Sequence, residues 1–126
     1  MIFGGANGTF YSSVTQGNEV ITLDSNLTFN NGNNSFNNYP SAVITTTHNV
    51  TLTVGDNVTC NNGINNFSAG RGDLIGTING DLIISGGTLS LKSNSAYTPI
   101  IINVLGGFNM SNGNFFYTNN ATVPPI

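Results

Sequence analysis

The residues whose types suit acid–base chemistry are five carboxylates: Glu19, Asp24, Asp56, Asp73 and Asp81. Glycoside hydrolases need two such groups, one on either side of the bond that is cleaved. In the repeat described below, Asp24 and Asp81 lie two coils apart, Asp56 falls in a turn and Asp73 falls in a loop. We therefore expect no pair of carboxylates on one face of neighbouring coils. The sequence predicts a protein that is not an enzyme and has no catalytic residues.

His48 and Cys60 are the remaining candidates for metal binding or nucleophilic chemistry. His48 is the only histidine, and neither a cysteine nor an acidic residue lies near it at the spacing of a metal site. Cys60 is the only cysteine, so the chain has no internal disulfide, and it stands at a position typical of a core residue. A catalytic thiol would need a base held in place by a third group, and none is evident. We expect a structural histidine, a buried thiol, no metal and no cofactor.

The composition indicates an all-β protein that is rich in turns. Only 6% of the residues are charged and the net charge is −3, while 23 residues are Asn and 16 are Gly. Asn and Gly favour turns between strands, and charged residues are too few for the outer faces of amphipathic helices. Two basic residues, Arg71 and Lys92, cannot match a nucleic-acid backbone, so we expect no nucleic-acid partner. No apolar run is long enough to span a membrane.

The elements that must position these residues follow from an internal repeat. Four segments align in one frame: residues 27–29, 52–54, 82–84 and 108–110. Positions at even distances from the start of each segment are mostly apolar and odd positions are mostly polar, which is typical of strands with one buried face. In the second copy this frame places Val58 and Cys60 after the turn that follows the aligned segment. The alignment predicts one stacked column of Leu52, Leu82 and Phe108, and a second column of Val54, Ile84 and Met110.

Turns recur in the same frame. Gly32, Gly87 and Gly113 share one position, where a residue without Cβ can adopt positive φ. A second tight corner precedes each aligned segment, and a third connection varies in length, as loops do in solenoids. We predict a parallel β-helix (β-solenoid) of about four coils over residues 19–118, with a cap or lead-in at 1–18 and a tail at 119–126. The alternative is an antiparallel β-sandwich, because Asn-Gly pairs favour hairpins, but a sandwich does not explain the matching offsets.

Threonines recur at the predicted outward positions. Thr22, Thr47 and Thr77 form one predicted column, and Thr28 and Thr53 begin another. Stacked Thr side chains pack favourably on a β surface. Ice-binding solenoids carry Thr-x-Thr in coil after coil, whereas the third and fourth copies here break that spacing. Ice binding is therefore a minor alternative.

Two short motifs point to surface recognition. Arg71-Gly72-Asp73 is the tripeptide that integrins recognise, and it falls in the longest variable loop, so it is a candidate adhesive loop. Asn-x-Ser/Thr begins at eight positions, of which Asn26, Asn49 and Asn109 are the candidate glycosylation sites. An Asn- and Thr-rich chain also produces such sequons by chance.

The repeat resembles a known group of proteins. Residues 78–91, Ile-Asn-Gly-Asp-Leu-Ile-Ile-Ser-Gly-Gly-Thr-Leu-Ser-Leu, are similar to repeats in secreted parallel β-helix proteins of Bacteroidota, some of which are adhesin-like. Residues 102–113 look like a second instance, and the resemblance extends from about Ser41 to Tyr117. It implies a long protein exported by the type IX system to the extracellular space or cell surface. The sorting domain of a complete cargo of that system is not evident, which favours a fragment.

The functional expectation combines the repeat with the resemblance. We expect a structural or adhesive segment of an extracellular cell-surface β-solenoid protein or filament, without catalysis. A carbohydrate-binding or carbohydrate-active β-helix is the main alternative. The expected partners are further coils of a longer chain or another copy bound through the solenoid ends, together with a surface glycan or host ligand.

Overall fold

Short strands alone build the fold in the part of the chain that the structure describes, which is residues 1–4, 7–10, 17–36, 48–68, 73–92 and 100–118 of a computed structural model. The strands are β1 (Ile2–Phe3), β2 (Asn7–Phe10), β3 (Gly17–Leu23), β4 (Leu27–Phe29), β5 (Asn33–Phe36), β6 (His48–Val54), β7 (Val58–Cys60), β8 (Ile64–Ser68), β9 (Asp73–Ile78), β10 (Leu82–Ile84), β11 (Thr88–Lys92), β12 (Ile100–Val104), β13 (Phe108–Met110) and β14 (Asn114–Thr118).

These strands form three parallel sheets. Sheet A contains β1, β4, β7, β10 and β13; sheet B contains β2, β5, β8, β11 and β14; and sheet C contains β3, β6, β9 and β12. Each strand pairs in parallel with the strand three further along the chain, so every turn of chain adds one strand to each sheet. Four complete coils are followed by β13 and β14, which begin a fifth. The parallel β-helix is confirmed, and β1 and β2, within the expected cap or lead-in, belong to its first coil.

The core lies between the three sheets and follows from the alternation in the sequence. In β4, β7 and β10 the first and third residues are buried and the middle residue is partly exposed. Successive side chains of a strand point to opposite faces, so a three-residue strand contributes two side chains to the core. The fully buried aromatic residues, Phe29 and Phe67, meet edge to face with ring centroids 6.5 Å apart.

The predicted columns are correct in the later coils and wrong in the second copy. Leu82 lies beside Phe108 and Ile84 beside Met110, as expected. The neighbour of Leu82 on the other side, however, is Val58, whereas Leu52 belongs to sheet C. A register shift by an even number of residues keeps apolar side chains on the core face, so alternation alone cannot distinguish the two alignments. The correct frame places Val58 and Cys60 in the columns of Leu27 and Phe29 in sheet A.

In four successive coils, the corner between sheets A and B depends on a glycine with positive φ. Gly32, Gly87 and Gly113 adopt φ values of 85°, 71° and 93°, as predicted, and Gly63 supplies the same conformation with φ 87° in the coil that was misaligned. These glycines also lie against one another: a Cβ on Gly113 would come within 2.6 Å of the Gly87 carbonyl oxygen. Close stacking of the coils therefore requires glycine here both for conformation and for space.

The corner between sheets C and A is joined from coil to coil by side-chain oxygens that accept hydrogen bonds from backbone N–H groups. The Oδ1 of Asn26 accepts from the Asn57 N–H (3.1 Å), and the Oδ1 of Asn57 accepts from the Asp81 N–H (2.7 Å). The Oδ1 of Asp81 accepts in turn from the Gly107 N–H (2.6 Å). Each oxygen serves a donor that would otherwise lack a partner at the turn, which explains why Asn and Asp recur at this position.

Candidate binding face

The outward side of sheet C carries two ordered columns of uncharged side chains, which we call the sheet C outer face. Parallel pairing aligns the residues of β3, β6, β9 and β12 directly beside one another. The first column is Val20, Thr51, Ile75 and Ile101, and the second is Thr22, Thr53, Thr77 and Asn103. Neighbours within a column are ~4.8 Å apart, and the two columns are ~6.6 Å apart along the strands.

Large aliphatic groups on this face are unusually open to solvent. Val20, Ile75 and Ile101 are 72%, 49% and 51% exposed. Val20 and Ile101 lie on the two edge strands of sheet C, and Ile75 lies on an inner strand. Adjacent apolar side chains on an exposed sheet favour contact with another surface over contact with water. Thr51 interrupts the aliphatic column with a hydroxyl group, and the neighbouring column adds hydroxyls in three successive coils. The face therefore combines apolar contact with hydrogen bonding and carries no charge in either column.

The face is held rigid from its inner side. Between the outward residues, Val50, Leu52 and Leu74 point into the core and are almost fully buried. Valine, isoleucine and threonine have few χ1 rotamers, so the outward side chains lose little entropy when they bind. A rigid, ordered surface suits an extended ligand with a repeating structure better than it suits a single small molecule.

The structure corrects the predicted threonine columns. Thr53, and not Thr47, lies between Thr22 and Thr77, and Thr28 is beside Thr59 in sheet A. Thr47 lies outside the described residues. The cause is again the misalignment of the second copy of the repeat, which had placed Leu52 in the column that Val58 occupies. With the correct register, each strand of sheet C contributes one outward pair of the form β-branched-x-Thr or Ile-x-Asn. This pattern is present in the sequence, but it can be recognised only after the second copy has been aligned correctly.

The acidic residues are closer to one another than the sequence predicted. Asp24, Asp56 and Asp81 all lie at the corner between sheets C and A, in successive coils, because the corner segments 24–26, 55–57 and 79–81 stack. The expectation that no two acids share a face on neighbouring coils is therefore wrong. Asp24 and Asp56 are exposed, and one oxygen of Asp81 is occupied by the Gly107 N–H. Among the described residues, no group of three or more His, Cys, Asp and Glu side chains could hold a metal ion.

Cys60 is a core residue with a polar neighbour. It is fully buried, its Sγ donates to the Gly86 carbonyl oxygen, and it accepts from the Asn65 Nδ2 at 3.3 Å. Burial raises the pKa of the Cys60 thiol, and the hydrogen bond from Asn65 opposes that rise only in part. A thiol held in its neutral form makes a poor nucleophile. His48 is the first residue of β6, and the position of its side chain lies outside the described residues.

The surface motifs lie beside the two columns of the sheet C outer face or away from them, and Asp73 and Asn49 stand one outward position before Ile75 and Thr51. Arg71 and Gly72 fall outside the described residues, while Asp73 begins β9, partly buried, beside Asn49 of β6. Asn26 is exposed at the corner ladder and Asn109 is exposed on β13. The placement of the Asn49 side chain also falls outside the described residues. The corner and β13 are thus the two places where a glycan on a predicted sequon would project from described side chains.

No known protein family, curated protein or solved structure matches this chain. In the parts of the chain that the structure covers, no helix is long and apolar enough to cross a membrane.

Proposed function

We propose that this chain is a structural or adhesive segment of an extracellular cell-surface β-solenoid, and that the sheet C outer face is its contact surface. The observation that carries the proposal is the pair of uncharged columns in four successive coils, one exposed and the other exposed or partly exposed. The sequence resemblance to secreted β-helix proteins supports an extracellular location, and the sequons are consistent with it.

The chemistry of the face favours an extended ligand that is neutral and repetitive. Charged ligands would find no complementary groups in either column, and steering by charge would be weak. Neither column contains an aromatic side chain on which a single sugar ring could stack. An ordered neutral polysaccharide offers repeated hydroxyl groups and apolar sugar faces to the same two columns, and each additional coil adds contacts without new ordering cost.

Retention on an insoluble neutral polysaccharide tests this proposal. The protein is mixed with suspended crystalline cellulose or chitin, and the unbound fraction is measured after sedimentation. Thr53→Lys places a charge in the middle of the sheet C outer face, while Thr59→Lys makes the same change on sheet A at a partly exposed site in the middle of its strand. We expect Thr53→Lys to weaken retention by about tenfold or more, which is ~1.4 kcal/mol, and Thr59→Lys to change it little. Equal retention of the two variants, or no retention of the unmodified protein on either polymer, would contradict the proposal.

Ice is a second candidate ligand for the same face, favoured by one specific observation. Thr22, Thr53 and Thr77 form an unbroken column of hydroxyl groups beside the column of Val20, Thr51, Ile75 and Ile101. Hydroxyl groups and aliphatic groups in ordered columns can hold a fixed layer of water on a rigid β surface. Inhibition of ice recrystallisation by the unmodified protein, lost in Thr53→Lys and kept in Thr59→Lys, would support this candidate. Normal crystal growth at high protein concentration would refute it.

A further inference from the structure

The outer surface of the last coil exposes side chains in columns that are buried in the three coils before it, at β4, β7 and β10. Phe108 and Met110 are 52% and 48% exposed, whereas Leu82 and Ile84, one coil earlier in the same columns, are almost completely buried. Phe115 of β14 packs against Phe108 with ring centroids 5.5 Å apart and is itself partly exposed. This surface therefore has the composition of the interface between two coils.

The described strands at this surface contain none of the residues that usually guard a strand edge. Natural edge strands are guarded by charges, prolines or bulges that prevent another strand from adding. Strands β12, β13 and β14 contain no Asp, Glu, Lys, Arg or Pro. Among the strands described, each is also the last of its sheet. Backbone donors and acceptors are thus presented along three edges at once.

The first coil presents the matching surface. Strands β1, β2 and β3 are the opposite edges of the same three sheets, in the same order and direction. Phe3, in the column that ends at Met110, stacks on Phe29 with centroids 5.4 Å apart. Ile21 and Leu23 lie in the columns that end at Ile102 and Val104. Sheet C has four strands where sheets A and B have five, so pairing β1 of a second copy with β13 leaves the β3 of that copy two strand spacings from β12. The coil-to-coil register therefore continues across two molecules through sheets A and B, which sets Phe3 of one copy against Met110 of the other.

We propose that the last coil of one copy stacks on the first coil of a second copy, head to tail, in the register that its own coils use. This proposal rests on the proposed structural role, and it adds that the partner in that role is a second copy of the same chain. In this arrangement Asn109 of one copy lies beside Ile2 of the next, because Ile2, Thr28, Thr59, Ile83 and Asn109 form a single column within the chain. A head-to-tail contact does not close on itself, so the assembly is an open filament.

The junction is weaker than the contact between two coils of one chain. The corner ladder that runs through Asn26, Asn57 and Asp81 ends at Gly107, which has no side-chain oxygen to offer to a following coil. The hydrogen bond that joins the corners of the second to fifth coils is therefore missing at the junction. Assembly is reversible and depends on protein concentration, since it must also overcome the entropy of joining separate molecules.

Disulfide cross-linking tests both the partner and the register. The tag-free protein carries Cys60→Ser, so that the only thiols are those introduced, with Ile2→Cys and Asn109→Cys combined or alone. Directly paired residues in a parallel sheet lie ~4.8 Å apart, which is within the range of a disulfide. Within one molecule the same two positions are four strand spacings apart, about 19 Å, so a cross-link must join two molecules. After mild oxidation without any polysaccharide, the products are separated under non-reducing conditions.

The double variant should give a ladder of dimers, trimers and longer chains, while each single variant should remain monomeric. Dimers from Asn109→Cys alone would mean that two last coils meet, and dimers from Ile2→Cys alone that two first coils meet; either result overturns the proposal. Monomers throughout would overturn it as well. Met110→Lys gives an independent measurement: light scattering should show the monomer mass for this variant, with Thr59→Lys as the control that still assembles. Since these experiments contain no ligand, their failure leaves the proposed adhesive role to be decided by retention on polysaccharide.

Discussion

Replacing Gly87 with alanine should destabilise the protein far more than the same change at Gly107. Gly87 has a φ of 71°, and an added Cβ would lie 2.6 Å from the Gly63 carbonyl oxygen in the preceding coil. A left-handed conformation costs an L-residue roughly 1–2 kcal/mol, and forcing the backbone of the neighbouring coil to move costs a further ~1–3 kcal/mol. We therefore expect Gly87→Ala to lower the free energy of unfolding by about 3 kcal/mol, a large part of the stability of a typical domain.

Gly107 is the matched control because it occupies a corner of the same stack without either constraint. Its nearest atom to an added Cβ is the Asp81 Oδ1 at 3.4 Å, and it is not among the described glycines with positive φ. Gly107→Ala should change the free energy of unfolding by only about 0.5 kcal/mol. Urea unfolding followed by circular dichroism measures both variants. If Gly87→Ala is as stable as Gly107→Ala, the close stacking of the glycine corners is refuted.

Three further predictions concern the core, the thiol and the acids. Leu82→Asp should unfold the protein or cost at least about 4 kcal/mol by burying a charge, while Thr77→Asp on the sheet C outer face should cost little; comparable thermal unfolding of the two variants would contradict the register at Leu82. Since burial raises the pKa of the Cys60 thiol, the unfolded chain ionises first, so urea unfolding at a series of pH values should show stability falling as pH rises above the ordinary pKa of a thiol. This component should be absent in Cys60→Ser, and its persistence there would assign it to other groups. No oligosaccharides should be released from polysaccharides during prolonged incubation; release that Asp56→Asn abolishes would mean that the acidic corner is catalytic.

The sequence was sufficient to predict the class of fold because two local signals agree. Alternation of apolar and polar residues identified the buried face of strands such as β4 and β10, and the glycine positions Gly32, Gly87 and Gly113 identified the corner between sheets A and B. Both signals are set by the backbone of a single strand or turn. The two signals do not depend on how neighbouring coils are aligned. Their repetition along the chain predicts parallel stacking.

Register was harder to predict, since it depends on which coil lies beside which. Leu52 and Val58 both begin a segment of the form apolar-Thr-apolar, and both point into the core. The long connection before β6 lets either segment be aligned with Leu27, and a shift by an even number of residues leaves every face unchanged. The choice is made by the corners, where Gly63 must stack on Gly32 and Asn57 must bond to Asn26. The threonine column and the acidic corner were mispredicted for this reason alone.

Disulfide formation across the sheet C outer face tests the central claim most directly, because the register of β3 and β6 creates both columns of that face. In the Cys60→Ser background, Thr22→Cys is combined either with Thr53→Cys or with Thr47→Cys, the partner that the sequence alignment had predicted. The structure sets residues 22 and 53 side by side in a parallel pair, within reach of a disulfide. The rate of intramolecular disulfide formation in the folded protein should be high for the pair 22–53 and low for the pair 22–47. Faster closure of 22–47, or no closure of 22–53, would show that the two columns do not exist as described.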